Sequence, residues 1–322
     1  MASEFDLIAR YFSRPAPAGM LGVGDDCALF APDPGMQVAT STDLLIEGRH
    51  FLAGTEPRAL GHKALAVNLS DLAAMGARPR ACLLGLAIPR PDEAWLEGFA
   101  EGFHALADIH GCPLIGGDTT RSDHGIAISV TVFGDVAAGQ ALRRDAGRPG
   151  DDLWVSGALG AAHLALELML AGRADDARLA AVRDAMERPE PRVALGQALA
   201  GLAHAAIDIS DGLLQDLGHI LDASACGARL HYAALPVHEA LRGLPRDRIV
   251  RAALGGGDAY ELCFSAAPAD RERVLEQARR AGTPVSRVGQ LVPREQGVSV
   301  LDEAGKPLDA LPGGFDHFRS GS

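Results

Sequence analysis

Apolar and polar positions along the first half of the chain follow two periods, one typical of strands and one typical of helices. Gln37 to Thr42 combines β-branched residues with an abrupt polar end, which predicts a strand. Pro57 to Met75 carries apolar residues at helical spacing, which predicts a helix. The same periods predict further elements in this half: strands at 81–88, 113–115 and 126–133, and a helix at 92–109.

The second half begins after a polar stretch at 139–150, whose Pro149-Gly150 pair is a turn signal. At roughly 150 residues per domain, the 322 residues predict two domains, 1–138 and 151–322, with 139–150 as the linker. The pattern predicts strands at 152–156, 206–208 and 262–264, and helices at 161–170, 191–203, after 212 and at 270–281. This order predicts an α/β (α+β) fold, with one mixed or antiparallel sheet in the first domain and a C-terminal α/β domain.

The charge of the chain excludes several classes of protein. The 30 basic and 42 acidic residues give a net charge of −12, which repels nucleic acid and anionic membranes, so neither is an expected partner. Only Lys63 and Lys306 are lysines, and neither lies in a phosphate-binding P-loop pattern. The protein-kinase signatures are absent too. An acidic chain can still bind phosphates where metal ions lie between the like charges.

The cysteines and the N-terminus indicate a location. The five cysteines are scattered and form no C-x-x-C pair, which makes a disulfide framework or a thiolate zinc site improbable and favours a reducing compartment. The first residues are acidic and lack the apolar core of a signal peptide. The longest apolar helix is too short to span a bilayer. We therefore expect a cytoplasmic protein.

Carboxylates recur at glycine-flanked positions that the pattern places at the ends of strands. Glycine lets the backbone approach a phosphate closely, and Asp, Ser and Thr offer the hard oxygens that Mg²⁺ prefers. Histidine and cysteine are scarce around these acids, which argues against zinc. The set therefore predicts a multi-magnesium phosphate site: Gly22-Val23-Gly24-Asp25-Asp26, Ser41-Thr42-Asp43, Gly116-Gly117-Asp118, Asp208-Ile209-Ser210-Asp211-Gly212 and Gly255-Gly256-Gly257-Asp258, with Asp71 in a helix as a sixth acid.

Each of these positions also has an ordinary structural interpretation. A single Asp after Gly most often satisfies a turn, and Gly150-Asp151-Asp152 repeats the triplet where we expect structure alone. Asp211 could be the N-cap of the helix that follows it, although a helix N-terminus also binds phosphate. Arg144 alone is a solvated surface charge, and His50 alone is a loop histidine. The number of such junctions in one chain carries the magnesium hypothesis.

Several longer motifs are similar to those of a known family, the bacterial thiamine-monophosphate kinases. The matches run from Phe5 to Phe318, nearly the whole chain, and single motifs are shared with aminoimidazole-ribotide synthetase and selenophosphate synthetase. The motifs are Gly22–Ala28, Ser41-Thr42-Asp43, Lys63–Ala77, Ile115–Arg121, Ile207–Leu213 and Gly314–Phe318.

The resemblance implies a two-domain fold like that of aminoimidazole-ribotide synthetase and a homodimer whose N-terminal domains pair through their sheets. It implies ATP- and magnesium-dependent transfer of the γ-phosphoryl group to thiamine monophosphate, giving thiamine diphosphate. The acceptor, a phosphate monoester, is already deprotonated at neutral pH, so no general base is required. Positioning and charge neutralisation by metal ions then suffice for catalysis.

The resemblance also implies roles for individual residues. Asp43, Asp71, Asp118 and Asp211 would support metal-assisted catalysis. Gly117, Asp118, Arg144 and Ser210 would contact ATP, and His50, Asp258 and Phe315 would face the thiamine phosphate. Several Mg²⁺ ions would be ligated by Asp26, Ser41, Thr42, Asp43, Asp71, Asp118, Asp208 and Asp211.

One motif departs from the family. The family usually reads Gly-Gly-Glu-Asp-Tyr-Glu-Leu, whereas this chain has Asp258 and Ala259 at the third and fourth positions. Asp258 is one methylene shorter than Glu, and Ala259 lacks a carboxylate. Phe315 keeps an aromatic ring and lacks the polar group that is usual there.

Three alternative functions share parts of this pattern. An ATP-dependent cyclo-ligase of the aminoimidazole-ribotide synthetase type would keep most metal-binding acids and differ near His50 and 257–261. Selenophosphate synthesis requires a reactive cysteine before the glycine loop, and Cys27 lies after it. A non-catalytic magnesium–nucleotide binding protein would also carry these motifs.

Overall fold

The chain divides into two compact units in the computed structural model, which describes residues 4–24 and 27–315. The first unit comprises residues up to Leu72 together with Ala77–Gly139. The second unit comprises Ala73–Gly76 together with the residues from Gln140 onward. The polar stretch 140–150 thus clusters with the second unit.

A four-stranded mixed sheet in the order β1-β4-β2-β3 forms the first unit. Strand β4 pairs antiparallel with β1 and β2, and β3 pairs parallel with β2. The pattern-based elements of this half are all confirmed, with shifted ends. The bounds are α1 (Glu4–Leu7), β1 (Met36–Ile46), α2 (Pro57–Ala74), β2 (Arg78–Ile88), α3 (Glu93–His110), β3 (Leu114–Arg121) and β4 (Ala127–Ala137).

Strands β1 and β3 are longer than the sequence pattern predicts. The sequence pattern ends β1 at Thr42, yet β4 pairs with β1 as far as Ile46, opposite Ala127. In the same way β2 pairs with β3 as far as Arg121. Backbone pairing therefore overrides the polar side chains, and both Asp43 and Asp118 lie inside strands rather than at their ends.

The two faces of β1 differ. The odd-numbered side chains of its second half are half-buried or buried, whereas the even-numbered positions are exposed along the whole strand. Large apolar side chains lie on this exposed face: Met36, Val38, Leu44 and Ile46 are 38–53% exposed. The sheet therefore has one covered face and one open apolar face at β1.

A six-stranded sheet in the order β10-β7-β9-β5-β8-β6 forms the second unit. All pairs are antiparallel except β10 with β7, so this unit is also mixed α+β. Strands β7, β9 and β10 and helices α5 and α8 are not predicted by the hydrophobic pattern. The bounds are β5 (Asp152–Ser156), α4 (Ala161–Leu170), α5 (Ala177–Glu187), α6 (Val193–Leu199), β6 (Ala205–Asp208), α7 (Leu213–Ser224), β7 (Cys226–His231), α8 (Arg246–Gly255), β8 (Leu262–Ala266), α9 (Arg271–Arg280), β9 (Val285–Pro293) and β10 (Val298–Leu301).

The core of the second unit lies against the inner strands and helix α7. Leu153, Ile207, Leu217 and Ile220 are at most 2% exposed in one continuous cluster. Helix α7 begins directly after the Asp-Ile-Ser-Asp-Gly segment, so this core fixes the end of β6 and the start of α7. Across the part of the chain that the structure describes, no helix has the length and apolarity needed to cross a membrane.

Candidate active site

An oxygen-rich cluster forms where β1 faces helix α2 in the first unit. The hydroxyl of Ser41 donates to Oδ2 of Asp71 at 2.6 Å. The backbone N–H of Asp43 donates to Oδ1 of the fully buried Asn68 at 2.9 Å. Ser41 and Asp43 are two residues apart on a strand, so their side chains lie on the same face. The structure therefore brings together Ser41, Asp43 and Asp71 of the predicted ligands.

The electrostatics of this cluster favour a cation. Burial, followed by the negative charge of Asp71, raises the pKa of Asp43 from 3.8 to about 6. A divalent ion between the two carboxylates would offset both effects. Among the described residues no group of three or more His, Cys, Asp or Glu side chains could hold a metal ion. Two carboxylates plus water and phosphate oxygens are a typical Mg²⁺ environment, so these residues fit magnesium.

Two other predicted ligands lie apart from this cluster. The alternation of the strand turns Thr42 to the opposite face, where its hydroxyl donates to the carbonyl of Val130 at 3.0 Å. Pairing places Asp43 opposite Val130, then Leu84, then Gly117 across the sheet. Three strand spacings of about 4.8 Å separate β1 from β3, so within one chain the backbone of Asp118 lies about 14 Å from that of Asp43, and a metal-binding role for Asp118 stays a prediction.

Gly117 has a structural reason to be glycine. Its φ is +151°, and a Cβ there would lie 1.9 Å from the carbonyl oxygen of Leu84. Glycine therefore allows β3 to approach β2 this closely. The exposed Asp118 follows it in the strand.

His50 is held in one orientation by the end of β1. The backbone N–H of Ile46 donates to Nδ1 of His50 at 3.0 Å. Because Nδ1 accepts this bond, the neutral ring carries its proton on Nε2 and can donate it. The residue is half-buried.

The second unit brings five predicted site residues to one place. The segment after β6 pairs with the loop before β8: Asp258 N–H donates to the carbonyl of Ser210 and Tyr260 N–H to that of Ile209, both at 2.8 Å. Phe315 N–H donates to the carbonyl of Asp211 at 3.0 Å. Asp208 ends β6 opposite Leu262. The structure therefore brings five predicted site residues together at the segment that follows β6: Asp208, Ser210, Asp211, Asp258 and Phe315.

Asp258 does not follow a strand, contrary to the pattern. Its glycine run ends helix α8, and the loop then leads into β8. Gly257 packs against the neighbouring segment so closely that a Cβ there would lie 2.7 Å from the carbonyl oxygen of Ser210. The glycines serve this close approach of two backbone segments.

The N-cap interpretation of Asp211 is wrong. Gly212 is the residue that precedes α7, and it makes no side-chain cap. The buried carboxylate of Asp216 instead accepts the backbone N–H groups of Asp211 at 3.0 Å and Gly212 at 3.1 Å. Burial raises the pKa of Asp216 to about 7, the nearby charge of Asp211 adds to this, and the backbone bonds oppose it. Sequence reasoning missed Asp216, although an acid in the first turn of a helix is a recognisable signal.

Arg144 lies beside the last turn of α7 and the start of β6. Its carbonyl accepts a hydrogen bond from Ser224, and the carbonyl of the preceding Arg143 accepts the N–H of Ala206, four residues before Ser210. The contacts of Arg144 and Ser210 with ATP stay predictions. Asp26 lies outside the described residues.

The Asp151-Asp152 pair is structural, as expected. Asp151 accepts hydrogen bonds from the backbone of Arg148 and from Ser265, and lies 2.8 Å from Nδ1 of His204. Asp152 accepts from Arg271 and Arg287, whose bonds lower its pKa against the effect of burial. These contacts join the start of β5 to its neighbours.

Comparison with known proteins agrees with this architecture. Residues 24–136 match the family described as AIR synthase related protein, N-terminal domain, and residues 148–302 match its C-terminal domain. The thiamine-monophosphate kinase of Escherichia coli K12 is 43% identical over 324 residues, covering 98% of each chain.

Solved structures give the same result. The crystal structure of thiamine-monophosphate kinase from Stenotrophomonas maltophilia K279a superposes with a TM-score of 0.84 at 46% identity, covering 90% of this chain and 93% of that one. AaThiL complexed with AMPPCP and TMP superposes with a TM-score of 0.77 at 29% identity, covering 89% of each chain. The chain therefore belongs to the thiamine-monophosphate kinase family, within the AIR synthase related proteins.

Proposed function

We propose that the chain transfers the γ-phosphoryl group of ATP to thiamine monophosphate, giving thiamine diphosphate, within thiamine diphosphate biosynthesis. The similarity to thiamine-monophosphate kinases along 98% of the chain supports this activity. A structural relative is complexed with AMPPCP, an ATP analogue, and with TMP. The observation that carries the proposal is the cluster of Ser41, Asp43 and Asp71, whose half-buried oxygens suit a metal-bound polyphosphate.

Asp43 and Asp71 hold Mg²⁺ in this proposal, and Ser41 orients the carboxylate of Asp71. Bound magnesium supplies charge neutralisation for the approach of two polyanions. Asp208 and Asp211 are the corresponding acids of the second unit. The number of ions and the contacts of Gly117, Asp118, Arg144 and Ser210 with ATP stay predictions.

The thiamine phosphate requires orientation rather than a general base. Its phosphate oxygen is already deprotonated at neutral pH, so catalysis is positioning. We assign His50 as a donor through Nε2, Asp258 as an acceptor, and the ring of Phe315, 40% exposed, as an apolar contact.

Product analysis tests the proposed activity directly. The purified chain is incubated with ATP, Mg²⁺ and thiamine monophosphate, and thiamine diphosphate and ADP are measured; we expect equal amounts of both and none after chelation of the metal. Nucleotide binding without product would identify a binding protein, and turnover confined to a formylglycinamidine ribotide would identify a cyclo-ligase. Either result would falsify the kinase proposal.

We also propose a cytoplasmic homodimer that forms through the open face of β1. The five cysteines are all free, which suits a reducing cytoplasm. On the exposed face of β1, Met36 and Val38 at one end and Leu44 and Ile46 at the other leave large apolar side chains in solvent, with Thr40 and Thr42 between them, and a second copy could cover this row. Light scattering should give a dimer mass for the wild type and a monomer mass for Leu44→Lys. A dimer unaffected by this change would place the interface elsewhere.

A further inference from the structure

The loop between α8 and β8 has an unusual backbone. Three non-glycine residues of the described chain have positive φ, and two of them, Asp258 at +60° and Tyr260 at +49°, lie in this loop. The third, Ala225, ends helix α7, where this conformation is common. Left-handed residues cost free energy and persist only where the surroundings enforce them. Other contacts must therefore stabilise this loop conformation.

Backbone bonds hold one side of the loop. Asp258 and Tyr260 both donate their N–H groups to the segment after β6, and Ile209 donates back to the carbonyl of Glu261 at 2.8 Å. The loop therefore continues the β6–β8 pairing, and alternate residues are fixed by it. Asp258 and Tyr260 are two residues apart, so both are fixed directly.

A buried ion pair holds the end of the loop. The carboxylate of Glu261, 5% exposed, accepts two bonds from Arg192, at 2.8 Å from Nε and 2.6 Å from a terminal nitrogen. The hydroxyl of Ser156 also donates to Glu261 and itself accepts the N–H of Leu262 at 2.8 Å. Such a bidentate, charge-assisted pair fixes geometry strongly.

Within this fixed loop, the hydroxyl of Tyr260 donates to Oδ1 of Asp258 at 3.0 Å. The tyrosine is 8% exposed, so its packed ring gives the hydroxyl one position. The bond restrains the carboxylate of Asp258. A short side chain held in this way presents its acceptor oxygens in a defined direction.

We propose that Tyr260 is a positioning residue that orients the carboxylate of Asp258 toward thiamine monophosphate, a ligand with a cationic ring and amine donors. The inference rests on the proposed function, because it assigns Asp258 to that substrate. Tyr260 itself does not touch the substrate in this proposal. Its effect must therefore pass through Asp258 and be specific to one of the two substrates.

The test compares Tyr260→Phe with Tyr232→Phe, a matched change elsewhere in the second unit, where the ring contacts Arg246. We expect Tyr260→Phe to raise the KM for thiamine monophosphate about tenfold, the effect of one hydrogen bond to a charged group. The KM for ATP, kcat and Tm should stay near wild-type values, and Tyr232→Phe should change none of them. Unchanged KM for thiamine monophosphate, or equal changes for both substrates, overturns the proposal.

A double-mutant cycle with Asp258→Asn tests whether the two residues act together. If Tyr260 acts through Asp258, the double variant has the same KM for thiamine monophosphate as Asp258→Asn alone. Independent, multiplying effects overturn the proposal while leaving the kinase activity established. A wild-type chain that makes no thiamine diphosphate overturns the proposed function itself, before any variant is compared.

Discussion

Among the described residues, each unit has one aspartate whose pKa burial raises above its ordinary value, Asp43 in the first and Asp216 in the second, and the surroundings of the two carboxyl groups differ. Burial and the charge of Asp71 both disfavour the ionised form of Asp43. The hydrogen bond to Asn68 is donated by the backbone N–H of Asp43 and so does not involve its carboxylate. Burial and the charge of Asp211 also disfavour the ionised form of Asp216, but its carboxylate accepts hydrogen bonds from backbone N–H groups, which favour that form. In the proposed site a metal ion would neutralise the carboxylate of Asp43, whereas backbone N–H groups already bind the carboxylate of Asp216.

The largest expected effect is on activity, at Asp43. Asp43→Asn should lower kcat by about 10²- to 10³-fold, the cost of losing one electrostatic contact to developing charge. The same change should raise the free energy of unfolding of the metal-free protein at pH 8, because a half-buried charge is removed. Kinetics and urea unfolding measure the two effects.

Asp123→Asn is the matched control, since Asp123 is exposed in the same unit. Wild-type turnover in Asp43→Asn would remove this residue from the metal site. A lower free energy of unfolding for Asp43→Asn would show that Asp43 stabilises the fold, and the predicted difference from Asp216 would then be wrong.

The next effect is on stability, at the ion pair of the second unit. Arg192→Leu leaves the buried carboxylate of Glu261 without its bidentate partner, and we expect a loss of about 3 kcal/mol in the free energy of unfolding. Arg273→Leu breaks an exposed pair with Asp270 and should cost less than about 1 kcal/mol. Equal costs in urea unfolding would show that burial does not distinguish the two pairs.

A smaller effect concerns pH dependence. The Asp216 carboxyl has a pKa of about 7 in the folded protein against an ordinary 3.8, so between these values the folded chain holds a proton that the unfolded chain releases. The free energy of unfolding therefore falls as pH rises through this window. Asp216→Asn should flatten the fall across pH 4 to 7 in urea titrations. A slope that matches the wild type would contradict the assigned cause.

The smallest effect is on substrate binding, at His50. His50→Ala removes an Nε2 donor, so the KM for thiamine monophosphate should rise about threefold to tenfold, the range for one hydrogen bond. His124→Ala, a loop histidine of the same unit, is the control. An effect confined to the KM for ATP would indicate that His50 contacts the nucleotide and not thiamine monophosphate.

The sequence predicts the existence of most elements because apolar spacing is a local signal. It misplaces the ends of β1 and β3, because pairing with a neighbouring strand decides where a polar segment stays extended. Strands β7, β9 and β10 lack a strong alternating pattern, and only their place in the sheet defines them.

The candidate site was predictable as a set of acids and not as a geometry. Motifs indicate Asp43, Asp71 and Asp211, but the pairing register alone separates Asp118 from Asp43. Asp216 was missed although its partners are only four and five positions away. Arg192 and Glu261 were missed because their importance comes from burial and from partners as far as 105 positions away in the chain. Such long-range contacts have no signature in one sequence.

Strand β1 separates two sets of side chains by alternation: Ser41 and Asp43 lie on the half-buried face, where Ser41 bonds to Asp71, while Val38 and Leu44 lie on the exposed face. An insertion or deletion of a single residue before Ser41 would exchange the two rows, so the proposed metal site and the proposed dimer surface would be lost together. A change of two residues would restore the parity of both rows. Evolution can therefore vary the composition of each row separately, but it can alter the length of this strand only in even steps.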